Sequence, residues 1–182
     1  MLKIEYPQTE TNSFENLEIK VSEPVTKINI RGKSKDFFLK TGKILSITIQ
    51  TATNTSSCNE KFNVLWLSPD EWMIYFVENK TENIFKNLFD EISKLNIGSI
   101  TDISNQWICI NLKGKNVFDL LSAGSPFNFN YFRYNKNSVT QTILNHIDVT
   151  LHHKEINKIN LFVRRSFSEH LLSWLNDSAK YI

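Results

Sequence analysis

The sequence predicts an α+β fold, a mixed or antiparallel sheet with helices packed on it, and three observations carry that expectation. Short runs that alternate apolar and polar side chains recur along the 182 residues, the period of half-buried strands. Segments with apolar residues at three-to-four spacing stand between them, about as numerous as the crossovers. No Gly-rich phosphate loop follows any strand: G-x-G-x-x-G and G-x-x-x-x-G-K-[ST] are both missing, which argues against a Rossmann or P-loop nucleotide site.

In chain order, residues 1–15 are polar, with Thr9 to Ser13 in one cluster, and read as an extended N-terminal arm; residues 16–182 read as a single domain. Lys27 to Arg31 alternates with period two and is a strand that Gly32 ends. Residues 35 to 41 form a short helix through Phe37, Phe38 and Leu39. Ile44 to Ile49 alternates again and reads as a strand, followed by a polar loop from Thr51 to Glu60. Val64 to Leu67 and Trp72 to Val77 are two strands joined at Ser68-Pro69-Asp70, where proline supplies the φ near −65° that a turn needs. Asn79 to Glu82 has the spacing of a capping box, and Ile84, Phe85, Leu88, Phe89, Ile92 and Leu95 then mark a helix ending near Asn96 and Gly98.

Ile100 to Ile103 and Trp107 to Leu112 follow as strands. Gly114 starts a second helix with Val117, Leu120 and Leu121 inward, stopped by Gly124-Ser125-Pro126. Phe127 to Tyr134 is aromatic and irregular. Val139 to Leu144 and Ile147 to Leu151 form a strand pair, and Ile159 to Val163 is the last strand. Ser166 to Glu169 reads as a capping box that opens a final helix, its stripe made of Phe167, Leu171, Trp174, Leu175 and Ser178.

Composition narrows the function. Hydrophobic residues are 41% and aromatics 12%, with 5 Gly and 4 Pro, the balance of an ordered globular protein. The net charge is +2, and 17 Lys against 4 Arg are spread along the chain, which argues against a nucleic-acid partner. Cys58 and Cys109 show no C-x-x-C spacing and read as free thiols in a reducing compartment. The amino end lacks a signal-peptide core, and no run approaches the roughly 18 apolar residues that span a bilayer, so the expectation is a cytoplasmic protein without a membrane partner.

Few residues offer chemistry. Asp70 and Glu71 are adjacent, and neighbours on a turn point apart where acid-base pairs converge from separate elements; Asp70 reads as a turn cap on backbone amides. His152 and His153 are consecutive on a strand, face opposite sides and cannot share a metal ion; Asn145 to Asp148 reads as a turn between His146 and His152. No G-x-S-x-G or papain-like cysteine signature is present. Catalytic, cofactor and metal residues are therefore expected to be absent. Trp66 and Trp72 bracket an acidic turn, and each is a rigid apolar body with one polar edge that suits an interface or a core. Arg164 and Arg165 stand before the last helix, a corner suited to a carboxylate or phosphate, or to a salt bridge with a partner or with an acid of the same domain. These four residues are the candidate interface or structural anchors.

Three blocks carry a family resemblance. Leu65-Trp66-Leu67-Ser68-Pro69-Asp70-Glu71-Trp72, Thr101-Asp102-Ile103-Ser104 and Arg165-Ser166-Phe167, with Leu112-Lys113-Gly114 running to Ser125-Pro126, stand in the order seen in the gamma subunit of heterotetrameric sarcosine oxidase. The likeness covers roughly residues 25 to 180, with Ser68 where the family has glycine. Such subunits are similar in fold to the folate-binding domain of the glycine-cleavage aminomethyltransferase, whose Asp-Val-Ser segment Asp102-Ile103-Ser104 resembles. That enzyme's Asp-Asp catalytic motif has no counterpart here.

The resemblance implies a non-catalytic structural subunit of an oxidase that demethylates sarcosine to glycine with oxygen and tetrahydrofolate, giving 5,10-methylenetetrahydrofolate and hydrogen peroxide. Its partners would be the alpha chain with NAD and the folate domain, the beta chain with FAD and FMN, and a small delta chain with zinc. The alternatives are a stand-alone folate-binding one-carbon-transfer protein and the equivalent subunit of a related N-methyl amine oxidase.

Overall fold

The computed structural model describes Pro7, residues 11–78 and residues 83–182. The chain has two hydrophobic cores and divides into two compact units: Val25–Ser104, and a second built from the chain up to Pro24 together with Asn105–Ile182. Alternation along a strand reports that one face is buried but not which sheet the strand joins, so the pattern that reads as one domain over residues 16–182 does not register this division.

Unit Val25–Ser104 is an antiparallel sheet in the order β4-β5-β6-β3-β7, formed by β3 (Lys27–Arg31), β4 (Ser56–Cys58), β5 (Phe62–Ser68), β6 (Glu71–Phe76) and β7 (Ser99–Asp102). Helix α1 (Lys35–Leu45) starts where the Ser34 hydroxyl accepts the Phe37 N–H at 3.1 Å, with Asp36 in the first turn. It ends in a Schellman arrangement: Ser46 takes φ 53° and the Ile47 N–H reaches the Gly42 carbonyl at 3.0 Å. The strand expected over Ile44 to Ile49 is therefore the helix end and its cap, because Leu45 continues the buried stripe of Phe37 and Thr41 at a spacing of four residues. The expected 51–60 loop contains β4, paired with β5 through Ser56 and Leu65.

The capping box expected at Asn79 to Glu82 lies outside the described residues. The helix after it runs as α2 (Ile84–Leu88) and continues as a π-turn, Phe89–Ser93, in which the Lys94 N–H bonds to the Phe89 carbonyl at 3.1 Å. Leu88 and Ile92 are buried in the core with Ile28, Ile30, Val64, Ile74 and Ile100. Trp72 is the largest side chain there, 1% exposed, with its Nε1 donating to the Gln50 carbonyl at 2.9 Å. Phe37 and Phe38 pack against its indole at 5.9 and 5.4 Å between centroids.

The second unit is an antiparallel sheet in the order β1-β2-β8-β11-β10-β9. Its strands are β1 (Thr11–Phe14), β2 (Leu17–Val21), β8 (Trp107–Lys113), β9 (Val139–Leu144), β10 (Ile147–Glu155) and β11 (Lys158–Arg164). Residues 11–14, inside the stretch that reads as an arm, are thus an edge strand, and β2 was not anticipated although Leu17, Ile19 and Val21 alternate into the core. The turn between β1 and β2 uses Asn16 at φ 57°. Gly114 takes φ 135°, and any Cβ there would collide with the Asn16 carbonyl, so glycine alone fits.

Helices α3 (Val117–Gly124), α4 (Phe129–Phe132) and α5 (Ser168–Ser178) supply Leu120, Leu121, Phe129, Phe132, Leu171 and Leu175 to this core. The supposedly irregular aromatic segment thus holds the short α4, capped by Asn128. The Ser166 capping box does not form. Residues Arg165–Phe167 make one 3₁₀ turn, the Ser168 hydroxyl donates to the Arg165 carbonyl at 2.7 Å, and α5 begins there. Phe167 falls outside the helix stripe and is 51% exposed. No described helix is long and apolar enough to cross a membrane.

Strand β10 extends past Leu151, so His152 and His153 stand on it with opposite facing, and both are buried. His153 lies among the rings of Phe118 and Phe132, at 5.7 and 5.5 Å, with Nδ1 2.9 Å from the Asn135 carbonyl. Burial, with lesser pushes from Lys154 and His153, lowers His152 to about 3.

Truncating Trp72→Ala should cost about 3–5 kcal/mol in urea unfolding, and Trp72→Phe, which keeps most of the ring but loses the Nε1 bond, about 1 kcal/mol. Equal midpoints for the two variants would contradict this packing. Between pH about 3 and the ordinary histidine value of 6.5, the unfolded chain protonates His152 and the folded chain does not. Stability should therefore fall as the pH is lowered through that window, by up to about 1.4 kcal/mol per unit, and above the window the contribution is complete. A His152→Gln variant should show a shallower fall than wild type when unfolding is followed by circular dichroism against pH.

Candidate functional site

The hairpin β5-β6 carries the first candidate residues. Pro69 and Asp70 turn the chain, and a bulge between Trp66 and Ser68 shifts the register before Glu71. Trp66 and Trp72 are directly opposed across the two strands and share a face of the sheet. Trp72 is in the core. Trp66 is half-buried against the same core, and its buried Nε1 has no hydrogen-bond partner among the described residues.

The acidic turn between them is held by ion pairs and hydrogen bonds. Asp70 accepts from the Ser68 hydroxyl at 2.9 Å and from Arg31 Nη2 at 3.3 Å, and Lys33 stands 3.9 Å away. The Ser68 bond first, then the charges of Arg31 and Lys33, hold the Asp70 carboxyl below the usual carboxylate range. The expected cap on backbone amides is thus replaced by a side-chain network, while the Asp70 carbonyl receives the Gly32 N–H at 3.0 Å. Glu71 accepts from Asn29 Nδ2 at 2.7 Å instead. The two carboxylates engage different partners and do not converge as an acid-base pair.

Thr101-Asp102-Ile103-Ser104 is turn chemistry at the end of β7. Asp102 Oδ1 accepts from the Ser104 N–H at 2.8 Å and from its hydroxyl at 2.6 Å, an Asx turn. The Lys27 N–H donates to the Ser104 hydroxyl at 3.0 Å, and the Lys27 carbonyl accepts the Ile103 N–H at 2.9 Å, which fastens the turn to β3. With its side chain occupied in this way, Asp102 terminates a strand.

Arg164 and Arg165 lie in the other unit. Arg164 stacks its guanidinium on the Trp107 indole, 4.5 Å from the ring centre, and donates to Gln106 Oε1 at 3.1 Å. The strand register places Arg164 opposite Trp107. Arg165 lines an open groove of about 450 Å³ with Asn105, Gln106, Arg164, Ser166, Ser168 and Glu169. Sequence reading missed Trp107 and Gln106 because Trp107 was counted only as the first residue of a strand; cross-strand pairing with Arg164 is what gives it a role.

It also missed a polar row on the sheet face away from the helices. There the Ser22 hydroxyl donates to Asn111 Oδ1 at 2.6 Å and Asn111 Nδ2 to Asn160 Oδ1 at 2.8 Å. The available signal was the polar residue within each apolar run, Ile110-Asn111-Leu112 and Ile159-Asn160-Leu161. Among the described residues no three His, Cys, Asp or Glu side chains are grouped to hold a metal ion. The arrangement offers turn fastenings, a tryptophan-centred core and one cationic groove.

No curated protein sequence matches the chain. Among solved structures it is similar to the heterotetrameric sarcosine oxidase from Corynebacterium sp. U-96 in complex with pyrrole 2-carboxylate, with TM-score 0.84 and 20% identity over 94% of this chain and 88% of that one. It is also similar to the glycine cleavage system aminomethyltransferase T from Bartonella henselae, with TM-score 0.65 and 10% identity over 88% of this chain and 45% of that one. These likenesses show the fold, including the aminomethyltransferase-like architecture the blocks implied. The family model described as "Sarcosine oxidase, gamma subunit family" matches residues 35–180. Because that match runs through both units, from the start of α1 past the end of α5, the chain belongs to the sarcosine oxidase gamma subunit family.

Proposed function

We propose that this chain is the non-catalytic structural subunit of a cytoplasmic heterotetrameric sarcosine oxidase. The single observation that carries the reading is the family match over residues 35–180. The side chains agree with it in kind. The motif carboxylates Asp70, Glu71 and Asp102 are engaged in turn and strand-end fastenings, and Trp72 is committed to packing.

In the assembly the proposed partners are alpha, beta and delta chains that hold NAD, the folate domain, FAD, FMN and zinc. The whole enzyme would convert sarcosine, oxygen and tetrahydrofolate to glycine, hydrogen peroxide and 5,10-methylenetetrahydrofolate, with this chain supplying contact surface. Trp66, Arg164 and Arg165 are the proposed anchors of that surface, and Trp72 supports it from within.

The aminomethyltransferase-like architecture motivates the rival reading of a stand-alone folate-binding protein, since a fold shared at 10% identity does not bring its site along. The purified chain should bind no flavin, release no peroxide from sarcosine, and give no tetrahydrofolate binding by calorimetry, yet co-purify with the other subunits when they are expressed together. Micromolar folate binding by the isolated chain, unchanged by partners, would favour the rival.

A further inference from the structure

We propose that the groove beside Arg164 and Arg165 is a docking surface for an acidic segment of a partner subunit, a reading that rests on the subunit role proposed above. Four arginines serve the whole chain, and their environments differ. Arg31 is neutralised by Asp70 at 3.3 Å, and Arg133 lies over the Phe118 ring of its own unit at 5.1 Å. Among the described residues Arg164 contacts the Trp107 face at 4.5 Å and Gln106 Oε1 at 3.1 Å and forms no ion pair. Arg165 makes no side-chain hydrogen bond or ion pair among the described residues. Glu169 lines the groove but pairs with neither arginine, so among the described lining residues, Pro7 included, two guanidinium charges stand against one carboxylate.

The indole and the Gln106 amide hold the Arg164 guanidinium in one plane while using one of its five N–H donors. A planar cation fixed in this way loses little freedom when a carboxylate accepts two of the remaining hydrogens in parallel. Arg164, which lines a groove of about 450 Å³ and is stacked on Trp107, forms with it a pair of the residue types that dominate binding energy in protein interfaces. The positive footprint is two adjacent arginines with no lysine among the groove's lining residues, too short for a phosphate backbone and matched to an Asp or Glu pair on a polypeptide.

The test uses the full chain co-expressed with the other subunits, its affinity for the remaining assembly measured by surface capture at low and physiological salt. Arg164→Glu with Arg165→Glu should weaken association roughly a hundredfold, and the Lys, Lys variant, which keeps charge but loses the fork, roughly tenfold. Lys61→Glu in the other unit should change nothing, and poly-L-glutamate should compete with the wild-type chain. If the reversal variant fails to fold, as judged by its melting curve, the Ala, Ala variant carries the test, with a comparable loss and a flattened salt dependence expected.

Wild-type affinity in a folded variant would overturn the docking surface and leave the subunit role standing. A wild-type chain that captures no subunit would overturn both. Competition by inorganic phosphate at the same carboxyl-equivalent concentration as poly-L-glutamate would make the groove a small-anion site and overturn the proposal.

Discussion

Strand register, which decides the side chains that each strand turns into its own core, is the constraint on which both units depend. In the sheet containing β8 and β11, Ile108, Ile110 and Leu112 are registered against Val163, Leu161 and Ile159, and all six are in the core. Slipping β11 by one residue would turn its three apolar side chains out of that core and bring in Asn160. The Asn111–Asn160 hydrogen bond on the opposite face exists in one register only, so polar and apolar faces specify the same pairing. In unit Val25–Ser104 the same role falls to Ile28, Ile30, Val64 and Ile74, with Trp72 filling the space under α1.

The motif residues acquire physical meanings from this frame. The Leu65 to Trp72 block is a bulged hairpin whose second tryptophan is a core side chain and whose aspartate is clamped by Ser68, Arg31 and Lys33. The Thr101 to Ser104 block is an Asx turn tied back to Lys27. Both blocks do the work of fastening strand ends, where backbone groups leave the ladder and need side-chain partners. Residues that recur as a pattern because they fasten a fold look, in a linear sequence, much like residues that recur because they react.

Charge is distributed differently. Lys40 with Glu91, Lys94 with Asp90, Lys158 with Glu155 and Lys180 with Asp177 are exposed pairs within one unit, each worth little to stability. Arg164 and Arg165 stand apart because, among the described residues, they meet an indole, amides and hydroxyls, with Glu169 lining the same groove but forming no ion pair with either. For a member of a subunit family, two adjacent arginines that form no ion pair among the described residues are the feature on which the proposed docking surface rests.

Local rules sufficed for the α+β class, for most strands and helices, for the Pro69-Asp70 turn and for the opposite facing of His152 and His153, since periodicity and turn chemistry act over a few residues. They failed where two local rules competed or where the signal was unfamiliar. Ile44 to Ile49 alternates like a strand, yet the α1 stripe and its Ser46 cap prevailed. Ser166 to Glu169 spells a capping box, yet a 3₁₀ turn came first. Asn16, Asn54, Asn96, Asn137, Asn145 and Asn157 all take positive φ, so asparagine does at these turns what glycine usually does in a chain with 5 Gly. That is why β1 reads as part of an arm and β2 is not anticipated. Only the tertiary structure decided the division into two cores, the burial of Trp72 as against the half-burial of Trp66, and the stacking of Arg164 on Trp107, because each depends on residues brought together across strands from distant parts of the chain.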